Sequence, residues 1–433
     1  MFAATRHADS PNQTRYRCGL AFVLMAAALA PGVAVAANGT GQVFAYFQGP
    51  WPTGGHSGVY MSYSSDGLNF QPMNNGDPVY VPPEAWGPGS STNTIDEDQT
   101  RDPSVLYGPD GYFHMVWTSG ISTRSIGYAK SADLKTWTDE QLIDIWSPST
   151  VVDHTWAPEL FYDAANSQYQ IIFASNLNGG DHKLYSITTS DFSSFSTADP
   201  NNPYFYNGAT IIDAMIAEDS ANNRYLMAVK DEQNGAKNIR LATAPTAQGP
   251  WTTDNPVIVG PGSAIEGNVT EGPSLLKVDD TWLLYYDAYG AGYFGVAATS
   301  DADPANAASW VNLTGDANLP DGHHGTVFNA PNSVLSFDFL PYSRSDLNGD
   351  QDLTPDDWLL FLGNHLTTTS IGDLDADGDN DFDDFRLFKT DYETFHGSGA
   401  FASMLASVAA PEPSAALLAL MGVPVVLGRR RGK

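Results

Sequence analysis

The sequence predicts an all-β body, a five-bladed β-propeller, followed by a small α-helical module, and three observations lead there. The first is a strand-like aromatic segment that recurs at near-constant spacing: Tyr112-Phe113-His114-Met115-Val116-Trp117, Tyr169-Gln170-Ile171-Ile172-Phe173, Tyr225-Leu226-Met227-Ala228-Val229 and Trp282-Leu283-Leu284-Tyr285-Tyr286. Their first residues lie 57, 56 and 57 positions apart. Each is apolar and follows a polar turn such as Pro109-Asp110-Gly111, as expected of a strand inside a repeated sheet.

The second observation is an echo downstream of these strands. Ser131-Ala132-Asp133-Leu134 leads to Trp137, Ser190-Asp191-Phe192 to Phe195, and Ser300-Asp301 to Trp310; Thr243-Ala244-Pro245, leading to Trp251, is a looser copy. An unmatched copy, Ser65-Asp66-Gly67-Leu68 leading to Phe70, stands near the N-terminus. One repeat is therefore split, with its outer strands at the start of the domain and its inner strand at the end. Four whole repeats and one split repeat predict five blades over residues 40–332, closed by pairing of the two ends. An open β-sandwich with accidental spacing is the alternative.

The third observation is acidic spacing near the C-terminus. Asp346, Asn348, Asp350, Asp352, Thr354 and Asp357 stand at loop positions 1, 3, 5, 7, 9 and 12. Asp373, Asp375, Asp377, Asp379, Asp381 and Asp384 repeat the pattern 27 residues later. Oxygen-bearing residues at these positions are those of an EF-hand-type Ca²⁺ loop, position 7 contributing its backbone carbonyl. Gly378 suits the sharp turn of the second loop, whereas Gln351 takes its place in the first. Short helical stretches are expected at Trp358 to Leu362 and Phe385 to Phe388, within a module spanning 345–397, and a small-residue linker after Ser398.

Composition narrows the function. The chain has 433 residues, is 42% hydrophobic, and carries a net charge of -30, so it can bury a core but offers no basic surface for nucleic acid. From Asp346 to Glu393, 14 Asp/Glu stand against 2 Lys/Arg, so much of the negative charge sits in the acidic loops. The one cysteine, Cys18, lies in an N-terminal segment where Arg15 and Arg17 precede an apolar run from Leu20 to Ala30 and the small residues Ala34-Val35-Ala36. That pattern reads as a secretory signal peptide over residues 1–36, its apolar run too short to span a bilayer. An exported, extracellular or cell-surface protein without disulfides is expected.

The candidate chemistry lies at the starts of the inner strands. Asp102, Glu159, Asp213 and Glu271 are separated by 57, 54 and 58 residues, and His324 follows 53 residues on. Equivalent positions in a propeller line its central channel, so five ionisable side chains are expected to converge on one pit. Carboxyl groups brought together split their pKa values, as glycoside hydrolysis requires of its acid and base. Phe47, Trp117, Trp156 and Tyr286 are candidates for stacking on a sugar face, although aromatic residues of a propeller more often belong to the blade cores.

Arg101-Asp102-Pro103-Ser104-Val105, Ile212-Asp213-Ala214 and Glu271-Gly272-Pro273-Ser274 resemble, in order, the three catalytic signatures of glycoside hydrolase family 43. Trp156-Ala157-Pro158-Glu159 and His324-Gly325-Thr326-Val327 are similar to further segments of that family; Ala214 departs from it, since proline or serine often follows the aspartate. The resemblance implies an inverting hydrolase of arabinose- or xylose-containing poly- or oligosaccharide. It makes Asp102 the general base, Glu271 the general acid and Asp213 the residue that orients the acid. It implies that Glu159 is a channel-wall or substrate contact, and that His324 stands near a central Ca²⁺ or water cluster or serves structure alone. A retaining fructan-type hydrolase is a rival, although there the Arg-Asp-Pro motif belongs to the second acid. A non-catalytic carbohydrate-binding propeller is another.

The paired acidic loops resemble a type I dockerin, which implies bound calcium and a cohesin-like protein partner. Pro411-Glu412-Pro413-Ser414, the apolar run from Ala415 to Leu427 and Arg429-Arg430-Arg431 resemble the bacterial sorting signal named for its Pro-Glu-Pro motif. This implies that residues 411–433 are removed and that contact with the membrane is transient; an ordinary hydrophobic anchor is the alternative.

Overall fold

The computed structural model describes residues 40–49, 58–86 and 97–409. The expected signal peptide and sorting segment lie outside the described residues. No helix among the described residues is long and apolar enough to cross a membrane.

Nineteen strands are described. The first sheet opens with β1 (Thr40–Phe47), β2 (Val59–Ser64) and β3 (Gln71–Pro72). The next holds β4 (Arg101–Tyr107), β5 (Phe113–Thr118), β6 (Ser125–Ser131) and β7 (Trp137–Asp144). A three-stranded sheet follows, β8 (Val152–Asp163), β9 (Gln168–Leu177) and β10 (His182–Thr189), its fourth position marked by one bridge between Leu184 and Phe205. Then come β11 (Ile211–Asp219), β12 (Arg224–Asp231), β13 (Asn238–Ala244) and β14 (Val257–Val259). The last repeat holds β15 (Glu271–Val278), β16 (Thr281–Ala288), β17 (Tyr293–Thr299) and β18 (Val311–Asn312), and β19 (His323–Pro331) ends the ring.

β19 pairs antiparallel with β1, Phe44 opposite Val327, so the first sheet takes its inner strand from the far end of the domain, as expected. The five inner strands touch in a cycle: β4 packs on β8, β8 on β11, β11 on β15, β15 on β19 and β19 on β4. This is a closed five-bladed propeller. The second strand of each blade is sandwiched between neighbouring blades on both faces. It therefore reads as a near-continuous apolar run, β5 being buried throughout. The Ser-Asp echo also has a physical cause. Asp133 Oδ1 accepts the backbone N–H groups of Lys135 and Thr136, Asp66 Oδ1 those of Leu68 and Asn69, and Asp191 Oδ1 that of Ser193. Each is an aspartate side chain closing its own turn.

Beyond β19, short 3₁₀ turns carry the chain to helices α1 (Pro355–Asn364), α2 (Phe382–His396) and α3 (Ala400–Ala409). The acids at loop position 12 cap the helices that follow. Asp357 Oδ2 accepts the N–H of Thr354 at 2.8 Å, and Asp384 Oδ2 that of Asp381 at 2.7 Å. Helix α3 corrects the expectation of a linker after Ser398. Its small residues are good helix formers, and Phe401 and Met404, one turn apart, are buried with Trp358 and Phe388 in one core cluster.

The helical module is packed on the closing blade. Val43, Met61 and Tyr63 of that blade share one apolar cluster with Tyr342, Trp358, Phe388 and Tyr392. Arg344 grips the fully buried Asp391 with two hydrogen bonds of 2.8 Å and reaches Gln71 Oε1 at 3.3 Å. Gln71 in turn donates to Thr394 Oγ1 at 2.6 Å. Arg344→Met is expected to destabilise this junction by about 3 kcal/mol, because Asp391 would be left buried without its counter-charge; a fall in the denaturant midpoint of the chain checks it.

Candidate active site

Four inner strands carry the same local distortion, a β-bulge with one residue in the left-handed region. The residue is Asp102 (φ 51°), Ala157 (φ 46°), Asp213 (φ 50°) or Gly272 (φ 54°). A left-handed non-glycine residue costs about 1–3 kcal/mol and persists only where its surroundings hold it. Proline follows three of the four, so the ladder lacks an N–H donor there. At Gly272 a side chain is excluded outright, because a Cβ would lie 2.6 Å from the His324 ring.

The bulges correct the register read from sequence. Asp102 and Asp213 occupy the bulge itself, Glu271 stands one residue before its bulge, and Glu159 two residues after. The side chains nevertheless meet. Asp102 Oδ1 lies 3.2 Å from His324 Nδ1, and Asp213 Oδ2 lies 4.0 Å from the same nitrogen. Lys230 Nζ stands 4.0 Å from Asp213 Oδ2 and 2.9 Å from Glu271 Oε2. One chain of contacts thus runs Asp102–His324–Asp213–Lys230–Glu271 across the ring.

Exposure divides these groups. Asp102 and Glu271 retain 11% and 24% of their side-chain surface, enough to meet a water or a substrate, whereas Asp213 and Lys230 lie beneath at 4% and 3%. The charges divide as well. Burial pushes Asp102 up, but the His324 charge and hydrogen bond, Arg101 and the Thr118 hydroxyl outweigh it and hold the carboxyl well below its usual range. Burial also pushes Asp213 up, to about 6, with Glu271 and Asp102 adding to the rise and His324 and Lys230 opposing it. His324 is raised to about 10 against its own burial by Asp102 and Asp213. Burial lifts Glu159 to about 8, with the Ser104 and Thr326 hydroxyls and His324 pulling the other way, so at neutral pH it is mostly a neutral acid.

Sequence reasoning missed several residues that build this site. Thr118, at the end of β5, donates to Asp102 Oδ2 at 2.7 Å and accepts the N–H of Ala157 at 2.8 Å, tying the base position to the next blade. The serines of two signatures bind neighbouring inner strands: Ser104 Oγ accepts from Leu160 N, and Ser274 Oγ from Val327 N. The one sequence signal for Lys230 is a cation directly after the buried apolar run Leu226 to Val229. Asp287, opposite Glu271, is fully buried, and burial raises its pKa.

The aromatic candidates separate. Trp117 and Tyr286 are fully buried in blade cores, Trp117 beside Tyr80 and Trp86, and offer no face to a sugar. Phe47 is buried too, with the Arg101 guanidinium 4.6 Å above its ring. Trp156 is half-buried, its indole N–H held by the Ile121 carbonyl at 2.7 Å. His154 and His182 lie 4.2 and 5.0 Å from it but only 5.7 Å from each other, too close to cover both faces of the indole. A separate cavity of about 400 Å³, lined by Asp163, Glu218, Arg224, Tyr225 and Gln248, opens at the far ends of β8 and β11 and holds none of these side chains.

In the helical module, carboxylate oxygens of Asp373, Asp375 and Asp377 approach within 4.8 Å of one another, as do those of Asp379, Asp381 and Asp384. Buried oxygens of Asp373 and Asp379 have no hydrogen-bond partner. In the first loop, by contrast, both oxygens of Asp346 accept backbone N–H groups, and Asn348 donates to Asp350. The second loop therefore fits a cation better than the first.

Residues 38–332 match the profile of the family-43-related group described as "Probable glycosyl hydrolase domain". No curated protein sequence matches the chain. Among solved structures, an α-L-arabinofuranosidase from Lactobacillus brevis is similar at 21% identity and TM-score 0.40, over 49% of this chain and 72% of that one. A thermostable family-43 glycoside hydrolase is similar at 20% identity and TM-score 0.41, over 51% and 73%. An endo-arabinase from Bacteroides thetaiotaomicron is similar at 17% identity and TM-score 0.41, over 50% and 80%. With its whole propeller inside the matched region, the chain belongs to the family-43-related glycosyl hydrolases and is a glycoside hydrolase.

Proposed function

We propose that the chain is an exported, inverting hydrolase of arabinose- or xylose-containing poly- or oligosaccharide. The observation that carries this reading is the pairing of Asp102 with His324 and Thr118, opposite Glu271 on Lys230. Asp102, ionised and partly exposed, takes a proton from water as the water oxygen bonds to the anomeric carbon. Glu271 gives its proton to the glycosidic oxygen as the carbon–oxygen bond breaks. The two carboxyl groups exchange charge states once per turnover, and solvent resets them. Asp213, beneath both, orients Glu271 through Lys230 and the Gly272 N–H, which donates to Asp213 Oδ2 at 3.3 Å. Trp156 presents the indole face for a sugar ring, and Glu159 forms a neutral wall of the pit.

The test is a screen of the purified chain on aryl arabinofuranosides and xylopyranosides and on arabinan, xylan and galactan oligosaccharides. Release of arabinose or xylose is expected. Binding of these glycans without turnover would replace the reading with that of a carbohydrate-binding propeller.

The same reading gives the helical module a structural calcium. Asp373, Asp375, Asp377, Asp379 and Asp384 would hold it in the second loop, with Asp346, Asn348, Asp350, Asp352 and Asp357 as the weaker first set. The ion would neutralise repelling carboxylates, and a cohesin-like protein is the partner that the module would serve. EDTA is expected to lower the unfolding temperature of the chain and added Ca²⁺ to restore it, with Asp375→Asn blunting the response. A transition indifferent to both would remove calcium from the account.

A further inference from the structure

Lys230 is the least expected group in the pit. It is the penultimate residue of β12 and follows Leu226 to Val229, all buried and apolar, and its own side chain is 3% exposed. A lysine ammonium this deep is costly unless carboxylates surround it. Three do. Glu271 Oε2 and Glu232 Oε2 each lie 2.9 Å from Nζ, and Asp213 Oδ2 lies 4.0 Å away. The Tyr289 ring stands 4.9 Å from the same nitrogen. Glu232 is itself tied by Lys237. The ammonium is therefore fixed from one side by Glu232 and can fix Glu271 from the other.

The consequence is an asymmetric carboxyl group. An ammonium has only donors to offer, so Glu271 Oε2 must accept from it. The proton that Glu271 delivers is then confined to Oε1. Once the proton leaves, the new carboxylate faces a cation already in place, which stabilises the charge that develops as the leaving oxygen is protonated.

We propose that Lys230 is a positioning residue that holds Glu271 by Oε2 and directs its proton-bearing Oε1 toward the leaving-group oxygen. This rests on the reading of Glu271 as the general acid. Because Lys230 acts only through that proton transfer, its loss is felt in proportion to how much the leaving group needs a proton. Lys230→Met is expected to lower kcat about 100-fold on alkyl or sugar leaving groups, comparable to a misplaced catalytic group. It is expected to cost less than about threefold on a dinitrophenyl glycoside, which departs unprotonated, with KM little changed on either. Lys230→Arg, which keeps a cation between the same acids, is expected to recover part of the loss. Glu232→Gln, which loosens the ammonium without touching Glu271, is expected to give the same selective loss at smaller size.

The decisive experiment measures all three variants and Glu271→Gln on matched alkyl and dinitrophenyl substrates. Equal losses on both substrates, or no loss in Lys230→Met and Glu232→Gln, would overturn the proposal and leave Lys230 a structural cation. If Glu271→Gln itself shows no dependence on the leaving group, Glu271 is not the acid and the role of Lys230 falls with it.

Discussion

Asp102→Asn is expected to lower kcat by about 100- to 10,000-fold while leaving substrate binding nearly intact. The amide keeps the shape of the carboxyl group, and its oxygen still accepts from His324. It cannot take a proton from water. The neighbouring contacts predict a small cost in stability as well. Thr118 accepts the Ala157 N–H and donates its own hydrogen to Asp102, so an amide N–H₂ facing it would make the hydroxyl turn and leave that hydrogen without its acceptor. Steady-state kinetics beside a thermal unfolding curve separate the two effects. A folded variant with near-native kcat would remove Asp102 from the chemistry.

Glu271→Gln is expected to produce a loss of similar size, about 100- to 10,000-fold, on sugars whose leaving group needs protonation. The loss should shrink steeply as the leaving group becomes more acidic. The substituted side chain would still accept from Lys230 through its amide oxygen, so the pit stays assembled and only the mobile proton is missing. A plot of log kcat against leaving-group acidity, flat for the wild type and steep for the variant, is the expected signature.

Much of this fold was legible in the sequence because of where the propeller buries its strands. The second strand of each blade is covered on both sides, so its middle is a short apolar run, and four such runs at one spacing announced the ring. The acids were legible for a different reason. Asp102 and Glu271 stand beside Pro103 and Gly272-Pro273, residues that suit a bulge. Their register was not legible, because counting residues cannot see that ten residues separate Asp102 from Tyr112 but twelve separate Ala157 from Tyr169. One extra paired residue in each arm of the β8–β9 hairpin, not a longer loop, shifts Glu159 past its bulge.

Side-chain contacts across blades lay further from reach. Trp117 and Trp156 look alike in sequence, yet one strand packs between sheets and the other edges the channel. Thr118 and Lys230 carry no motif; they matter because ring closure brings the end of one blade against the start of the next. Helix α3 was hidden by its composition, since small residues suit a linker and a helix equally until Phe401 and Met404 find a partner in Trp358 and Phe388.

The claim on which the rest depends is that Asp102 and Glu271 divide one turnover between water activation and leaving-group protonation, with no covalent sugar intermediate. Proton NMR of the first product released from an anomerically pure substrate tests it directly, read before mutarotation scrambles the signal. A product of opposite anomeric configuration to the substrate is expected. A product of the same configuration would mean a two-step displacement through a carboxylate nucleophile, and would contradict the roles of both residues as base and acid.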